Sequence, residues 1–178
     1  MIYLIVHRRS FIKLIGLFFS IFNIKVFGYG TNNEKIEFNH GVASGDPTAD
    51  AIIIWTKITK SSNSTINVKW QFSDKKNFSN IINSGLVKSY SHNDFSVKVD
   101  SKIPMKYCGK EIYYRFCANN IFSITGTTKT LPKNDPSKFN IAICSCSNYP
   151  GGYFNAYKEI ANDNNIDLVL HLGDYLYE

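Results

Sequence analysis

Three side chains near the end of this chain have types and spacing that could hold a metal ion: Cys146, Asp174 and Tyr177. Asp174 follows Gly173 in DLVLHLGDYLYE, residues 167 to 178. A carboxylate set just past a buried strand can bind a metal, and its two oxygens can bridge two. Two ions about 3.5–4 Å apart can clamp both oxygens of an in-line phosphoryl displacement. Gly173 lets the backbone turn sharply and keeps a Cβ out of the site. Tyr177, three residues on, could return to the same ion as a phenolate. A phenol with a free pKa near 10 needs a strongly Lewis-acidic ion such as Fe(III) to lose its proton. Cys146 could add a thiolate from a neighbouring loop. Cys, Asp and Tyr on one edge make a partial shell for hard, oxidised iron. Spacing alone leaves other readings open. Gly-Asp after a strand is also a routine turn, and a lone Cys is more often a small buried hydrophobe. His171 reads as a satisfied core residue, and Tyr153 and Tyr175 as packing aromatics. No residue is assigned as an acid, base or nucleophile.

Positioning these groups requires a strand, helix and strand. FNIAI (139–143) reads as the first strand. FNAYKEIA (154–161) has helical spacing, with Phe154, Tyr157, Ile160 and Ala161 on one stripe. Ile166 to Leu172 is an apolar run typical of a strand buried on both faces. This is one βαβ unit. In such sheets ligands sit beyond the carboxyl ends of the strands. The loop holding Cys144-Ser145-Cys146 and the turn Gly173-Asp174 therefore open on the same edge.

Upstream the pattern differs. Short strand-like runs recur: apolar AIIIW (51–55), alternating INVKWQF (66–72) and Phe95-Val97-Val99, aromatic-rich IYYRF (112–116) and a Thr/Ile-rich stretch from Ile121 to Thr130. Turn residues separate them: Gly45-Asp46-Pro47, Ser61 to Ser64, Asn83-Ser84-Gly85 and Asn119-Asn120. This predicts an all-β sandwich of immunoglobulin or fibronectin type over residues 36–132. Pro132 and Pro136 mark residues 133–138 as a linker. The βαβ unit, residues 139–178, follows.

At the other end, Arg8-Arg9 precedes Ser10-Phe11-Ile12-Lys13 and an apolar run from Leu14 to Ile24. That run is too short for a bilayer, which needs about 20 residues. It fits the apolar region of a signal peptide over residues 1–30, cleaved after Gly30. The RR-x-F-x-K pattern resembles a twin-arginine signal, a route for proteins exported already folded. An ordinary secretory signal and an uncleaved anchor are the other readings. An exported protein, periplasmic or secreted, with no stable membrane span after cleavage is the expectation. The net charge of +6 comes from Lys spread along the chain, a solvated surface rather than a nucleic-acid patch, and no nucleic-acid binding is expected. Cys108, Cys117, Cys144 and Cys146 form no CxxC pair. Cys144 and Cys146 are too close for an ordinary structural disulfide.

Two stretches carry a resemblance to the alkaline phosphatase D (PhoD-like) metallophosphatases. FNHGVASGDPTADAIIIWTKIT (38–59) resembles the opening of that family's N-terminal β domain, continued by IYYRF and by TGTTKTLP (125–132). FNIAICSCSNYPGGYFNAYKEIANDNNIDLVLHLGDYLYE (139–178) resembles the start of its catalytic domain. The resemblance implies a sandwich followed by the start of an α/β metallophosphatase domain. It implies exported hydrolysis of phosphate mono- and diesters with Fe(III) and Ca²⁺ as cofactors. By position it implies Cys146, Asp174 and Tyr177 as metal ligands, Asp174 as the bridging one. Cys144 matches no ligand, and Cys108 and Cys117 lie outside the motif.

The family's remaining ligands, a second Asp, an Asn-containing motif and late His/Asp residues, are not among these 178 residues. His40 and His92 lie in the β domain and are poor substitutes. With two strands and one helix, residues 139–178 are expected to leave Ile166 to Leu172 partly exposed. The expectation is therefore an incomplete catalytic domain, from a split or prematurely terminated reading frame or a partial sequence, inactive alone. A separately encoded C-terminal half would complete it. An exported β-sandwich binding module with a vestigial tail is the alternative from another class.

Overall fold

The computed structural model describes residues Glu34–Glu178, which form one compact unit. The signal-segment reading lies on residues outside this range. The first strands are β1 (Ile36–Glu37), β2 (Val42–Gly45), β3 (Ala51–Lys57), β4 (Thr59–Lys60), β5 (Ile66–Ser73) and β6 (Ile81–Ser89). They continue with β7 (Ser96–Lys102), β8 (Glu111–Ala118), β9 (Ile121–Phe122) and β10 (Gly126–Lys129). All these pairings are antiparallel. One sheet runs β2-β3-β7, the other β10-β8-β5-β6, with β9 beside β8 and β1 paired to β4.

The alternation in sequence becomes alternation of faces. In β3, Ile52 and Ile54 are buried while Trp55 is exposed. In β8, Ile112, Tyr114 and Phe116 point inward. One apolar core joins Ile52, Ile54, Val97 and Val99 of the first sheet to Val68, Phe72, Ile112 and Phe116 of the second. That shared core makes the arrangement sandwich-like. Asn119 and Asn120, both at positive φ (45° and 64°), close the β8–β9 hairpin as expected.

Asn83-Ser84-Gly85 is not a turn. It lies inside β6, and Gly85 pairs with Trp70. A Cβ at Gly85 would sit 2.6 Å from the Trp70 indole, so the glycine makes room for a ring. The stretch from Ile121 to Thr130 is two strands rather than one. Between them Ser123 takes over the backbone pairing: its Oγ accepts from Phe116 N–H at 2.9 Å and donates to Ile124 O at 2.8 Å.

Gly126 pairs with Tyr114, and a Cβ there would lie 2.4 Å from Tyr114 Cζ. Tyr114 is 2% exposed and has nowhere to go. G126A is therefore expected to cost about 1–3 kcal/mol by overpacking. The check is the urea unfolding midpoint; an unchanged midpoint would mean that the ring swings clear.

The last elements are β11 (Ile141–Cys144), helix α1 (Asn155–Asn162) and β12 (Leu168–His171), with β11 and β12 parallel. Strand β11 starts two residues later than expected, because Asn140 is taken up by the loop ahead of β12: its N–H donates to Asp167 Oδ2 at 3.0 Å. Lys129 of the β domain reaches the same carboxylate at 2.6 Å. These bonds hold the Asp167 carboxyl below the usual range, the Asn140 backbone N–H most and Lys129 next. A cleft of about 540 Å³ lies there, between the ends of β2 and β10 and the loop before β12. The β12 residues Leu168, Val169 and Leu170 are 36–48% exposed. One neighbouring strand and one short helix do not cover them, which agrees with the expected exposure. Tyr153 does not pack as expected; it is 91% exposed. Cys108 and Cys117 are both free thiols.

Candidate metal centre

The register of β11 on β12 sets the geometry. Cys144 pairs with His171, so the strands end level and their loops leave one edge together. Pairing then continues beyond the strands. Leu172 N donates to Cys144 O at 2.9 Å, Cys146 N to Gly173 O at 3.3 Å and Ser147 N to Asp174 O at 3.3 Å. Tyr177 N donates to Ser147 O at 2.7 Å and Tyr149 N to Tyr177 O at 3.0 Å. The two loops are zipped side by side, and Cys146, Asp174 and Tyr177 meet on that seam.

All three residues at the bends have left-handed backbone: Cys146 at φ 60°, Gly173 at 113° and Asp174 at 48°. Gly173 is required by its dihedral rather than by space, since a Cβ there would meet nothing within 4 Å. Cys at positive φ costs roughly 1 kcal/mol or more, and such strain clusters at functional sites.

Cys146 Sγ lies 3.8 Å from Asp174 Oδ2. The Tyr177 phenol is pushed up to about 12, first by its hydrogen bond to Asp174, then by burial, then by Cys146. Thiol, carboxylate and phenol are therefore in mutual reach at an exposed strand end. The protein groups alone hold the phenol protonated; a cation placed among them would favour the phenolate and thiolate. Two anionic oxygens and one sulfur fit a hard, oxidised ion better than a soft one. Among the described residues, no group of three or more His, Cys, Asp and Glu is placed to hold a metal. The cluster reaches three donors only through Tyr177.

A hydrogen-bonded relay behind the seam was not foreseen. Gly173 N donates to His171 Nδ1 at 3.2 Å, which leaves the proton on Nε2. Nε2 lies 2.9 Å from Tyr157 Oη, and that hydroxyl bonds to Ser147 Oγ. The relay ties α1 to both loops. Aromatic neighbours extend it: Phe154 stacks on Tyr157, with ring centroids 5.9 Å apart, and Tyr175 lies 5.0 Å from His171. His171 is thus a satisfied, half-buried group and does not face the three donors as a fourth. The sequence held one signal for the relay, Tyr157 and His171 standing on the inward stripes of adjacent elements.

A β domain followed by a parallel strand-helix-strand unit with donors at its carboxyl edge defines the class, and comparison with known proteins gives the family. The model of the PhoD-like phosphatase N-terminal domain matches residues 26–132, and that of the PhoD-like phosphatase domain matches residues 141–178. The chain belongs to the PhoD-like phosphatase family. It is 35% identical to alkaline phosphatase D of Bacillus subtilis (strain 168), over 83% of this chain and 26% of that protein. A solved structure of PhoD superposes with a TM-score of 0.70 at 35% identity, covering 79% of this chain and 28% of that one. The chain spans about a quarter of the length of these relatives.

Proposed function

We propose that this chain is the N-terminal portion of an exported phosphate mono- and diesterase of the PhoD type. Residues 1–30 serve as a twin-arginine-like signal and 36–132 form an immunoglobulin- or fibronectin-like domain. Residues 133–138 link it to 139–178, the start of an α/β metallophosphatase domain. The observation that carries this reading is the seam between the strand ends, where Cys146 and Asp174 stand 3.8 Å apart and the backbone of Tyr177 is bonded to Ser147, next to Cys146. Cys146, Asp174 and Tyr177 would hold Fe(III), with Asp174 shared toward a second ion, Ca²⁺. Bound there, such ions would supply Lewis-acid stabilisation of charge on phosphoryl oxygens.

The residues themselves have narrower tasks. The thiol and phenol deliver negative charge to the site once deprotonated. Cys146 and Asp174 sit at left-handed bends, and the zipped loops hold Tyr177 on the same seam. Three ligands are fewer than a two-metal site needs, so these 178 residues by themselves are read as inactive. The comparisons give no support to a separately encoded second half.

The test is hydrolysis of bis(p-nitrophenyl) phosphate by the purified chain supplied with iron and calcium. No turnover above blank is expected. Turnover well above blank would show that the missing ligands are dispensable and overturn this reading.

A further inference from the structure

We propose that the β domain carries, where β2 and β7 begin, a binding cleft for a small anion bearing a flat aromatic ring, a nucleotide in chemical class. The cleft is about 830 Å³ and lies where β2 and β7 begin and β3 and β6 end, a size ordinary for small-molecule sites. It is independent of the metal-centre reading, sharing no residue with that centre.

Charge and shape point to this ligand. His40, Lys57, Lys88, His92 and Lys98 line the cleft, and among the described residues no carboxylate does. Lys57 is spoken for by an ion pair with Asp94. Lys88 and Lys98 have no carboxylate partner among the described residues, so two cations face the same hollow uncompensated. An anion entering it meets charge-assisted donors with nothing to displace. Between the cations stand exposed rings. Trp55 is 43% exposed, and Tyr90, 37% exposed, is stacked on His92 with centroids 5.2 Å apart at 25°. The floor is aliphatic, with Val97 in the core and Val42 and Val87 packed against it. A hydroxyl-rich sugar would find few partners on such a floor and would lose its hydration there. A flat base has no such need, and stacking on an aromatic side chain is worth about 1–3 kcal/mol.

The experiment is calorimetric titration of the full chain with AMP, in the presence of a metal chelator, alongside adenosine, ribose 5-phosphate and inorganic phosphate. Saturable AMP binding with a dissociation constant of roughly 0.1–1 mM is expected, with each partial ligand weaker. The doubly substituted K88A/K98A chain and the W55A chain are each expected to bind about tenfold more weakly or worse. All three positions are exposed, so an unchanged thermal midpoint is expected to confirm that the variants fold. Absence of saturable AMP binding would overturn the proposal, as would wild-type affinity in either variant. Phosphate binding as tightly as AMP would remove the ring from the ligand class, and adenosine doing so would remove the anion; either overturns it. AMP binding seen only when the chelator is left out, or lost in D174N, would place the nucleotide at the candidate metal centre instead and overturn the proposal.

Discussion

F72A is expected to destabilise the β domain by about 3–5 kcal/mol. Phe72 is fully buried at the middle of the larger sheet. Its ring meets Trp70 edge-on, with centroids 5.9 Å apart, and Tyr114 at 6.1 Å. Truncation removes the ring's burial, leaves a cavity between two sheets, and breaks two aromatic contacts worth about 0.5–1.5 kcal/mol each. Those neighbours are themselves constrained. Trp70 lies over Gly85, and Tyr114 over Gly126. Against a usual total of about 5–15 kcal/mol, this loss leaves a marginal domain. Urea unfolding followed by tryptophan fluorescence measures it. A loss under about 1 kcal/mol would mean that the two sheets do not share the core described.

D174N is expected to weaken ferric binding by about a hundredfold or more. The substitution is chosen because it separates charge from shape. Position 174 has φ 48°, and Asn tolerates the left-handed region as Asp does, so the turn survives. The Ser147 N–H bond to the carbonyl of residue 174 is a backbone bond and is kept. What is lost is one anionic oxygen pair from a set of three donors. Changes to mere outer-shell partners of metal sites already cost about 10–100-fold, so a direct ligand should cost at least the upper end. Iron retained after desalting, normalised to protein, gives the readout. Retention equal to the unsubstituted chain would remove Asp174 from the metal centre.

Much of this architecture is legible in the sequence, for definite reasons. Strands β5 and β7 carry apolar residues at period two, and β3 and β8 announce themselves as apolar and aromatic-rich runs. Strand β6 does not. Asn83-Ser84-Gly85 carries turn chemistry, and its place in a strand is dictated by the indole of Trp70, which no local pattern reveals. Gly126 is similar: its need for no side chain comes from Tyr114 across the ladder. At the candidate metal centre, Asp174 and Cys146 are legible because both follow strands that end at one edge. Tyr177 is legible by its spacing from Asp174. The relay through Ser147, Tyr157 and His171 is legible only in the placement of Tyr157 and His171, because its bonds depend on the β11–β12 register and on where α1 sets its stripe. The role of Gly173 is half legible: the sharp turn is evident from residue type, whereas the open space beside it is a matter of surroundings.

The central claim, that Cys146, Asp174 and Tyr177 together hold iron, is tested most directly by visible absorption. The purified chain, titrated with ferric citrate, is expected to develop a phenolate-to-iron charge-transfer band that saturates near one iron per chain and is absent in Y177F. A chain that gives no band, or a band that persists undiminished in Y177F, would contradict the account.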